Sequence, residues 1–402
     1  MVRLIHPGVQ HSLRLADQLF AEGLLKKLYT TLSFGKKSLA YSLFPAKLKS
    51  KLSNRVSGVV PDSLFKTYPL LEAKALWEYR SGGKSQDVYY KRNRRFQEKV
   101  IADFKESDHS PIIGFDTSSW LLADYAKAKS ISFILDQSIA DAVKKNRVYQ
   151  QIQNQYPDWA EDLLQKRDLY LDVEKRELKL ATKIVVASTF TKESLVEEGV
   201  DATKIVINPY GVDLEGFRPL DKPKKMKFIF LGTVNGRKGT PTLINAWKRA
   251  GLHEHAELHF VGPISTFVKN KLDCPGVTYL GRLNHEQIKK MLGTYHVLVF
   301  PSFFEGFGQV ILEALAAGLY ILATDRTAAP DIISGNLTAG QILEAGNEGE
   351  WASALVNCYN NISHINATIS DRRALSGKFT WEAYGKRWAD MIRSIDNNAT
   401  EI

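Results

Sequence analysis

Short runs of apolar and β-branched residues alternate with helix-length segments along most of the chain. Strands separated by helices favour parallel sheets covered by helices on both faces. The runs form two series, separated by "EGFRPLDKPKKMK" (215–227), where two prolines and a lysine cluster indicate a linker. The predicted strands are 111–115, 131–135, 184–188 and 205–208 in the first series, and 227–232, 257–262, 277–281, 296–300 and 319–324 in the second.

The two series predict an α/β protein with two Rossmann-like domains whose parallel sheets face each other across a cleft. The length of 402 residues is also sufficient for two hydrophobic cores. We assign residues 1–215 to the first domain, 216–385 to the second, and 386–402 to a C-terminal helix or tail that is free to pack back toward the first. Ligands of such sheets bind beyond the carboxyl ends of the strands, so we expect the functional residues in those loops.

The loop after the first strand of the second series, "LGTVNGRKGT" (231–240), combines glycines with two cations. Gly232 and Gly239 allow close approach of the backbone to a ligand, and Arg237 and Lys238 would attract a phosphate at the start of the next helix. A plain turn with a solvated basic pair is the alternative. Glycine follows Lys238 where a Walker A loop needs Ser or Thr, and no G-x-G-x-x-G run follows a strand. A P-loop NTPase and a nicotinamide enzyme are therefore disfavoured.

The segment "PSFFEGFGQVILEALAAG" (301–318) places two glutamates eight residues apart. In one continuous helix, Glu305 and Glu313 would lie about 12 Å apart, farther than the roughly 5 to 9.5 Å between the paired carboxylates of glycoside hydrolases. The spacing suits an elongated ligand held at two points. Residues 309–318 predict a buried helix that ends at Gly318. Glu313 interrupts this apolar helix, so we expect its carboxylate to meet ligand hydroxyls, backbone N–H groups or the N-terminus of a neighbouring helix.

Several motifs, in this order, resemble those of family-4 retaining glycosyltransferases with the GT-B fold. The resemblance covers about half of the chain, from about 176 to 385. It implies transfer of a sugar from a nucleotide-diphosphate donor to a hydroxyl acceptor with retained configuration, as in polysaccharide or glycolipid assembly. A GT-B nucleotide-sugar epimerase and a non-catalytic GT-B subunit that binds a glycan or a partner are the alternatives. The matching segments are "RELKLATKIVVASTFTKESLVEEGV" (176–200), "NPYGVDLEGFRP" (208–219), "GTVNGRKG" (232–239), "YLGRLNHEQIKKMLGTYHVLVFPS" (279–302) and "EGFGQVILEALAAG" (305–318).

The resemblance implies roles for individual residues. Glu313 would hydrogen-bond the nucleotide ribose, Glu305 would lie beside hydroxyls of the donor sugar, and Lys238 would stabilise the departing diphosphate. Thr233 stands where many relatives have arginine, and Arg237 would substitute for that arginine. Further donor contacts, mainly through backbone groups, are implied for Gly232, Gly281, Arg282, Gly306, Phe307, Gly308 and Gln309.

The acceptor side is less defined in the sequence. Asp136 follows the strand 131–135 where many relatives have a histidine, and it would orient the acceptor hydroxyl, act as a base or cap a turn. Gly8, between His6 and His11, follows the first strand and is assigned to substrate binding, although lone histidines are more often structural. No Asp-x-Asp pair occurs in the sequence. We therefore expect no catalytic metal and no cofactor besides the donor substrate.

Positive charge is concentrated in the first part of the chain. Residues 1–150 contain 25 Lys and Arg against 14 Asp and Glu, whereas the remainder contains 29 against 30. This asymmetry indicates an anionic partner, either a membrane surface or nucleic acid, or else a basic surface that is only solvated. No recognisable nucleic-acid-binding module appears, so we expect no nucleic acid partner.

The segment "GKKSLAYSLFPAKLKSKLSNR" (35–55) contains six basic residues and no acidic one. Its leucines are spaced to form two short apolar edges separated at Pro45, which predicts docking on an anionic bilayer that carries a lipid-linked or glycan acceptor. The alternative is that these leucines pack on the core of the first domain. No signal-peptide core and no run of about 18 apolar residues appears. We predict a cytoplasmic protein that attaches peripherally to the inner face of the plasma membrane. The spaced leucines are Leu39 with Leu43 and Leu48 with Leu52.

Overall fold

The computed structural model of the protein describes residues 1–161, 163–265 and 268–400. The last two residues of the predicted tail, 401–402, lie outside the described residues. The strands are β1 (Val2–Ile5), β2 (Leu25–Thr30), β3 (Phe34–Lys36), β4 (Val56–Pro61), β5 (Phe65–Thr67), β6 (Ile112–Phe115), β7 (Phe133–Gln137), β8 (Lys183–Val186), β9 (Ile205–Ile207), β10 (Met226–Leu231), β11 (Ala256–Val261), β12 (Val277–Tyr279), β13 (Val297–Phe300), β14 (Tyr320–Thr324) and β15 (Gly340–Leu343).

Helices alternate with these strands, as the sequence pattern predicts. They are α1 (Ser12–Ala21), α2 (Leu39–Ser42), α3 (Ala46–Leu52), α4 (Pro69–Arg80), α5 (Ser85–Ala102), α6 (Trp120–Ala128), α7 (Ala142–Gln155), α8 (Asp168–Leu180), α9 (Thr189–Glu197), α10 (Thr240–Ala250), α11 (His285–Leu292), α12 (Val310–Ala316), α13 (Ala329–Ile333), α14 (Glu348–Asn360), α15 (Ile362–Ala367), α16 (Ile369–Ser376) and α17 (Trp381–Thr400).

Two parallel sheets form the two domains. The first has the strand order β5-β2-β1-β6-β7-β8-β9, and the second has the order β12-β11-β10-β13-β14-β15. In both sheets the strand order reverses beside the first strand, β1 or β10, which is the position where open α/β sheets bind ligands. The predicted α/β fold with two parallel-sheet domains is confirmed.

One strand boundary differs from the prediction in a way that affects the site. The run 131–135 predicts that Asp136 follows a strand, but β7 extends to Gln137. Asp136 pairs in register with Phe115 of β6, and Gln137 pairs with Val186 of β8. A polar residue is tolerated here because only the end of the strand reaches the cleft, where its side chain finds a polar partner.

Two helices pack on the opposite domain: α7 of the first domain packs on the second sheet, and α17, which follows the second domain, packs on the first sheet. On α7, Val148 and Ile152 belong to the same buried cluster as Phe228 of the second sheet. On α17, Trp388 belongs to the buried cluster that contains Leu4 of the first sheet. The helix α17 begins at Trp381, five residues before the predicted start of the C-terminal helix or tail at residue 386. These exchanged helices join the two domains into one cleft.

The basic segment 35–55 forms α2 and α3, which are separated at Pro45. Leu39 is 81% exposed and Leu43 is 84% exposed, so the interpretation in which the leucines pack on the first-domain core is wrong for these two. Leu48 is less exposed and Leu52 is half-buried. Lys49 Nζ donates to the carbonyl of Ser42 at 2.8 Å. The last basic residue of the segment, Arg55, turns inward and pairs with Glu72 at 3.1 Å.

Among the described residues, no helix has the length and apolar character needed to cross a bilayer.

Candidate functional site

Two cations and a carboxylate meet beyond the carboxyl end of β10. Arg237 Nη1 donates to Glu305 Oε1 and to the carbonyl of Phe304, both at 2.7 Å. Lys238 Nζ forms an ion pair with the same Oε1 atom, and Ser302 Oγ donates to it at 2.9 Å. We call Arg237, Lys238, Ser302 and Glu305 the cationic cluster. The sequence left the direction of Arg237 open, and in the structure it points at Glu305.

The cationic cluster carries one more positive than negative charge. Burial raises the pKa of Glu305, but the charges of Lys238 and Arg237 outweigh burial and hold that pKa below its ordinary value. Burial lowers the pKa of Lys238, and the charge of Glu305 opposes this change. Oε2 of Glu305 accepts no hydrogen bond from the described residues. The cluster can therefore attract a phosphate through its excess charge and receive a ligand hydroxyl at Oε2.

The loop between Glu305 and α12 presents backbone N–H groups toward a ligand. Gly308 adopts a φ of 88°, in the left-handed region that favours glycine. Within the part of the chain that the structure describes, the N–H groups of Phe307, Gly308 and Gln309 have no acceptor. The Phe307 side chain is buried in the second domain, so this residue can contact a ligand only through its backbone. Unpaired N–H groups ahead of a helix attract anions.

Gly306 brings this loop into contact with the first domain. A Cβ atom at this position would lie 2.0 Å from the carbonyl oxygen of Ser138, so no side chain fits. The Gly306 carbonyl accepts hydrogen bonds from Ser188 Oγ at 2.6 Å and from Thr191 Oγ1 at 3.1 Å. Both domains thus hold the loop that carries Glu305, and the site is shared between them.

A cavity of about 340 Å³ lies between the domains and contains Glu313, which is in the first turn of α12. We call it the interdomain cavity. In the described residues, no hydrogen bond reaches the Glu313 carboxylate, although His285, the first residue of α11, lines the same cavity. Ligand hydroxyls stay the predicted partner of Glu313. The other lining residues are Gln10, His11, Arg14, Tyr210, Val212, Asp213, Phe217, His285, Gln309 and Trp381.

The electrostatics of Glu313 reflect this lack of donors. Burial raises the pKa of Glu313 to about 7, and the charge of Lys289 opposes the rise only in part. Hydrogen bonds from ligand hydroxyls would stabilise the ionised carboxylate and lower its pKa. Nearby, the Gln309 side chain donates to the carbonyl of Gly211 at 2.7 Å, which fixes the start of α12 against the interdomain connection. The Glu313 carboxylate is thus available to a ligand in the cavity.

Asp136 approaches the interdomain cavity only through His11. The two side chains form a hydrogen bond of 2.7 Å between His11 Nε2 and Asp136 Oδ2. Burial raises the pKa of Asp136, and His11 opposes this shift. The His11 ring lines the cavity beside Tyr210, with 4.5 Å between the ring centroids. Asp136 lies within β7 and does not cap a turn, so that alternative is wrong. It is placed to position His11.

Four further predicted residues lie where the sequence places them, beyond the carboxyl ends of β10 and β12. Gly232 and Thr233 follow β10, and the Gly232 N–H donates to the carbonyl of Val261 at 3.0 Å. Gly281 and Arg282 follow β12, and the Arg282 side chain is exposed. None of the four lines the interdomain cavity. Their contacts with a donor remain predictions.

Gly8 lines a second cavity, of about 370 Å³, which is formed by first-domain residues alone. We call it the first-domain cavity. It lies beyond the carboxyl ends of β1 and β6, and Gln10 lines both this cavity and the interdomain cavity, so the two adjoin. The other lining residues are His6, Pro7, Ser85, Gln86, Tyr89, Arg92, Asn93, Asp116, Thr117, Ser118, Lys145, Lys166 and Tyr170.

Nine residues that line the interdomain cavity were not predicted as site residues. Arg14, His285 and Trp381 differ in how much signal the sequence carries for them. Arg14 lies one helical turn after His11 on α1, a spacing that places the two side chains on one face. His285 begins α11 directly after its capping residue Asn284, so the capping sequence carried a usable signal. Trp381 begins α17, and no local pattern indicates that this helix returns to the cleft. In the described ranges, no group of three or more His, Cys, Asp or Glu side chains could hold a metal ion.

The second domain is similar in sequence to known proteins. Residues 225–361 match the family model "Glycosyl transferases group 1". An uncharacterised 41.2 kDa protein in the cps region of Klebsiella pneumoniae is 26% identical over 43% of this chain and 51% of its own length. The MMP alpha-(1->4)-mannosyltransferase of Mycolicibacterium hassiacum is 21% identical over 56% of this chain and 57% of its own length. The chain thus spans about half the length of these curated relatives.

Solved structures show the same fold over nearly the whole chain. The sucrose-phosphate synthase of Thermosynechococcus elongatus has a TM-score of 0.68 at 18% identity and covers 99% of both chains. The HepE protein of Anabaena, solved with UDP, has a TM-score of 0.66 at 14% identity and covers 98% of this chain and 100% of its own. The chain therefore has the two-domain GT-B fold.

Proposed function

We propose that the protein is a glycosyltransferase of the family-4 retaining type, which moves a sugar from a nucleotide-diphosphate donor to a hydroxyl acceptor. The observation that carries this proposal is the cationic cluster beside unpaired backbone N–H groups, with the unpartnered Glu313 in the adjoining cavity. An anion and a set of hydroxyls on one elongated ligand would satisfy all of these groups. A mannosyltransferase among the relatives and a protein solved with UDP among the structural neighbours support this class of ligand.

The donor would bind across the second domain. The Glu313 carboxylate accepts hydrogen bonds from the ribose hydroxyls, and the N–H groups of Phe307 to Gln309 face the diphosphate. Lys238 and Arg237 stabilise the negative charge that grows on the diphosphate as the glycosidic bond breaks. Glu305 holds both cations through Oε1 and receives a donor-sugar hydroxyl at Oε2. Because two protein cations supply the positive charge, we propose that transfer needs no metal cofactor.

The acceptor would enter from the first domain, through the cavity that contains Gly8. His11, held by Asp136, lines the interdomain cavity and would accept a hydrogen bond from the attacking hydroxyl there. We propose that attack occurs on the face from which the diphosphate leaves, so that the configuration is retained. A relative from a cps region supports polysaccharide assembly as the setting, and a glycan or lipid-linked molecule as the acceptor.

A screen of nucleoside diphosphates tests the donor site. UDP, GDP and ADP are added to the protein, and the midpoint of thermal unfolding is recorded, because a ligand of the folded state raises it by mass action. We expect stabilisation by at least one nucleotide. In Glu313→Gln, whose amide binds ribose hydroxyls more weakly, we expect at least tenfold weaker binding. The control Lys105→Gln changes an exposed lysine far from the cleft and should bind as the wild type. Equal binding by Glu313→Gln would remove Glu313 from the site.

We also propose that α2 and α3 dock on an anionic membrane surface that presents the acceptor. The nearly full exposure of Leu39 and Leu43 supports this, because exposed leucines beside lysines are typical of interfacial helices. Lys37, Lys47 and Lys51 are exposed around them. Arg55 does not contribute, since it pairs with Glu72 inside the domain. The protein would then act as a peripheral protein on the inner face of the plasma membrane.

A further inference from the structure

The first-domain cavity contains a buried histidine that has no partner. His6 is 6% exposed and lines the cavity, and both of its ring nitrogens lack a hydrogen-bond partner. Burial lowers its pKa well below the ordinary value, and the charges of His11, Arg92 and Arg55 act in the same direction. The neutral ring offers one donor and one acceptor, which is the complement of a hydroxyl group. A buried polar group of this kind points to a ligand that the cavity receives.

The cavity wall also contains one cation without a carboxylate partner. Three cations line it, and two of them are neutralised: Arg92 pairs with Glu72 at 3.2 Å and Lys166 pairs with Glu174 at 3.1 Å. For Lys145 the described residues provide no ion pair. Its ammonium group faces a ring in the same helix, at 5.0 Å.

One carboxylate of the wall, Asp116, offsets part of this positive charge, and its Oδ1 atom accepts hydrogen bonds from the N–H and the hydroxyl of Ser138. Glu72, however, pairs with Arg55 as well as with Arg92. The wall and its ion-pair partners therefore contain four cations, Arg55, Arg92, Lys145 and Lys166, and three carboxylates, Glu72, Glu174 and Asp116. Lys145 is also close enough to Arg237 of the cationic cluster for their charges to interact, so a ligand bound at Lys145 lies next to the proposed reaction centre.

We propose that the first-domain cavity binds an acceptor with an anionic group, a phosphate or a carboxylate, which pairs with Lys145 while a hydroxyl of the same acceptor bonds to His6. The proposal rests on the proposed function, because it names the acceptor class of that site. It predicts that neutral sugars are poor ligands. A cavity of about 370 Å³ has room for a sugar ring with its charged substituent.

The test is a titration with inorganic phosphate, D-glucuronate and uncharged D-glucose, read as thermal stabilisation at constant ionic strength. A saturating nucleoside diphosphate occupies the donor site, so that anions do not bind at Lys238. We expect phosphate or glucuronate to bind at least tenfold more tightly than glucose. Lys145→Gln should lose at least tenfold, Lys145→Arg should keep most of the binding, and Lys105→Gln should match the wild type. Preference for phosphate indicates a phosphate ester, and preference for glucuronate indicates a uronate.

A second variant separates the two parts of the site. His6→Phe keeps a ring against Phe115, whose centroid lies 4.4 Å from that of His6, and it should weaken glucuronate binding without weakening phosphate binding. Glucose binding as tight as that of the anions, or wild-type anion binding by Lys145→Gln, would overturn the proposal. If no nucleoside diphosphate binds at all, the proposed function fails, and the titration is repeated in Lys238→Gln to decide the cavity's ligand independently.

Discussion

At the scale of single residues, the site contains charged groups that lack a full set of partners within the protein. One carboxylate, Glu305, forms ion pairs with two cations, Arg237 and Lys238. Another, Glu313, has no donor. Folded proteins rarely leave buried charges in this state without a functional reason, because the cost of desolvation is not recovered. A nucleotide sugar would supply what each group lacks, an anion for the cations and hydroxyls for Glu313.

The raised pKa of Glu313, about 7, makes stability depend on pH. The unfolded chain ionises this group near 4.5, so the folded state loses stability as pH rises from there through about 7. Glu313→Gln cannot ionise and escapes the loss. We expect the variant to match the wild type near pH 4 and to exceed it by about 2 kcal/mol at pH 8, with allowance for partial exposure. Urea unfolding at both values measures the difference.

The matched control for this prediction is Glu106→Gln, which changes an exposed glutamate outside the site. The free energy of unfolding of the control should differ from the wild type by the same amount at both pH values. A pH-independent effect of Glu313→Gln would show that Glu313 stays solvated in the folded protein. A loss of stability at pH 8 would show that the protein itself stabilises the carboxylate.

At the scale of elements, the sequence predicted those strands that are mostly apolar. The runs 227–232 and 257–262 correspond to β10 and β11, because most side chains of both strands are buried and burial selects apolar residues at those positions. The sequence "LKKLYT" of β2 escaped prediction because two lysines interrupt its apolar residues. The short β5 escaped because it lies at the edge of the sheet, where lysine is tolerated. The strand β15 escaped because it begins with Gly340 and a glutamine.

The candidate site was predictable where it is local in sequence and not where it is tertiary. Glu305, Lys238 and Glu313 stand in loops and a helix start whose composition indicates their chemistry. The pairing of His11 with Asp136 joins residues 125 positions apart, and only the sheet order brings them together. The same holds for Trp381, which reaches the cleft because α17 packs on the first domain. Contacts between residues that are distant in the sequence produce no local residue pattern from which they could be predicted.

The surface formed by α2 and α3 gives a prediction at this scale. Lys37, Lys47 and Lys51→Glu should reduce sedimentation with anionic lipid vesicles at least tenfold, because each lysine near such a surface contributes about 1 kcal/mol. Binding by the wild type should weaken as salt is added, since surface electrostatics are screened. Neutral phosphatidylcholine vesicles should bind weakly.

The control for membrane binding reverses the same number of charges elsewhere, at the exposed residues Lys105, Lys127 and Lys129. That variant should sediment as the wild type does. Leu39 and Leu43→Ser tests the apolar part and should weaken binding even at low salt. Sedimentation of the α2–α3 charge variant at the wild-type level, or no sedimentation of the wild type, would contradict the membrane proposal.

At the scale of the whole molecule, two domains and two exchanged helices make one cleft with two adjoining cavities. The loop at Gly306 is bonded to the first domain through Ser188 and Thr191, so donor and acceptor sides are held in a fixed relation. The interdomain cavity ends at Glu313, and the first-domain cavity contains Lys145. The cationic cluster belongs to the second domain, and its Arg237 is near enough to Lys145 for their charges to interact. This arrangement suits transfer of a sugar between a bound donor and a bound acceptor better than epimerisation of a single bound nucleotide sugar.

The most direct test of the central claim is proton NMR of a nucleotide sugar, chosen from the donor screen, incubated with the protein, an acceptor and excess chelator. We expect release of the nucleoside diphosphate and a product with the donor's anomeric configuration. Lys238→Ala should slow release at least tenfold, which is about 1.4 kcal/mol of transition-state stabilisation. An epimerised donor with no release, an inverted product, loss of activity in chelator, or an unchanged rate in Lys238→Ala would each contradict part of the account. No release from any nucleotide sugar would contradict it as a whole.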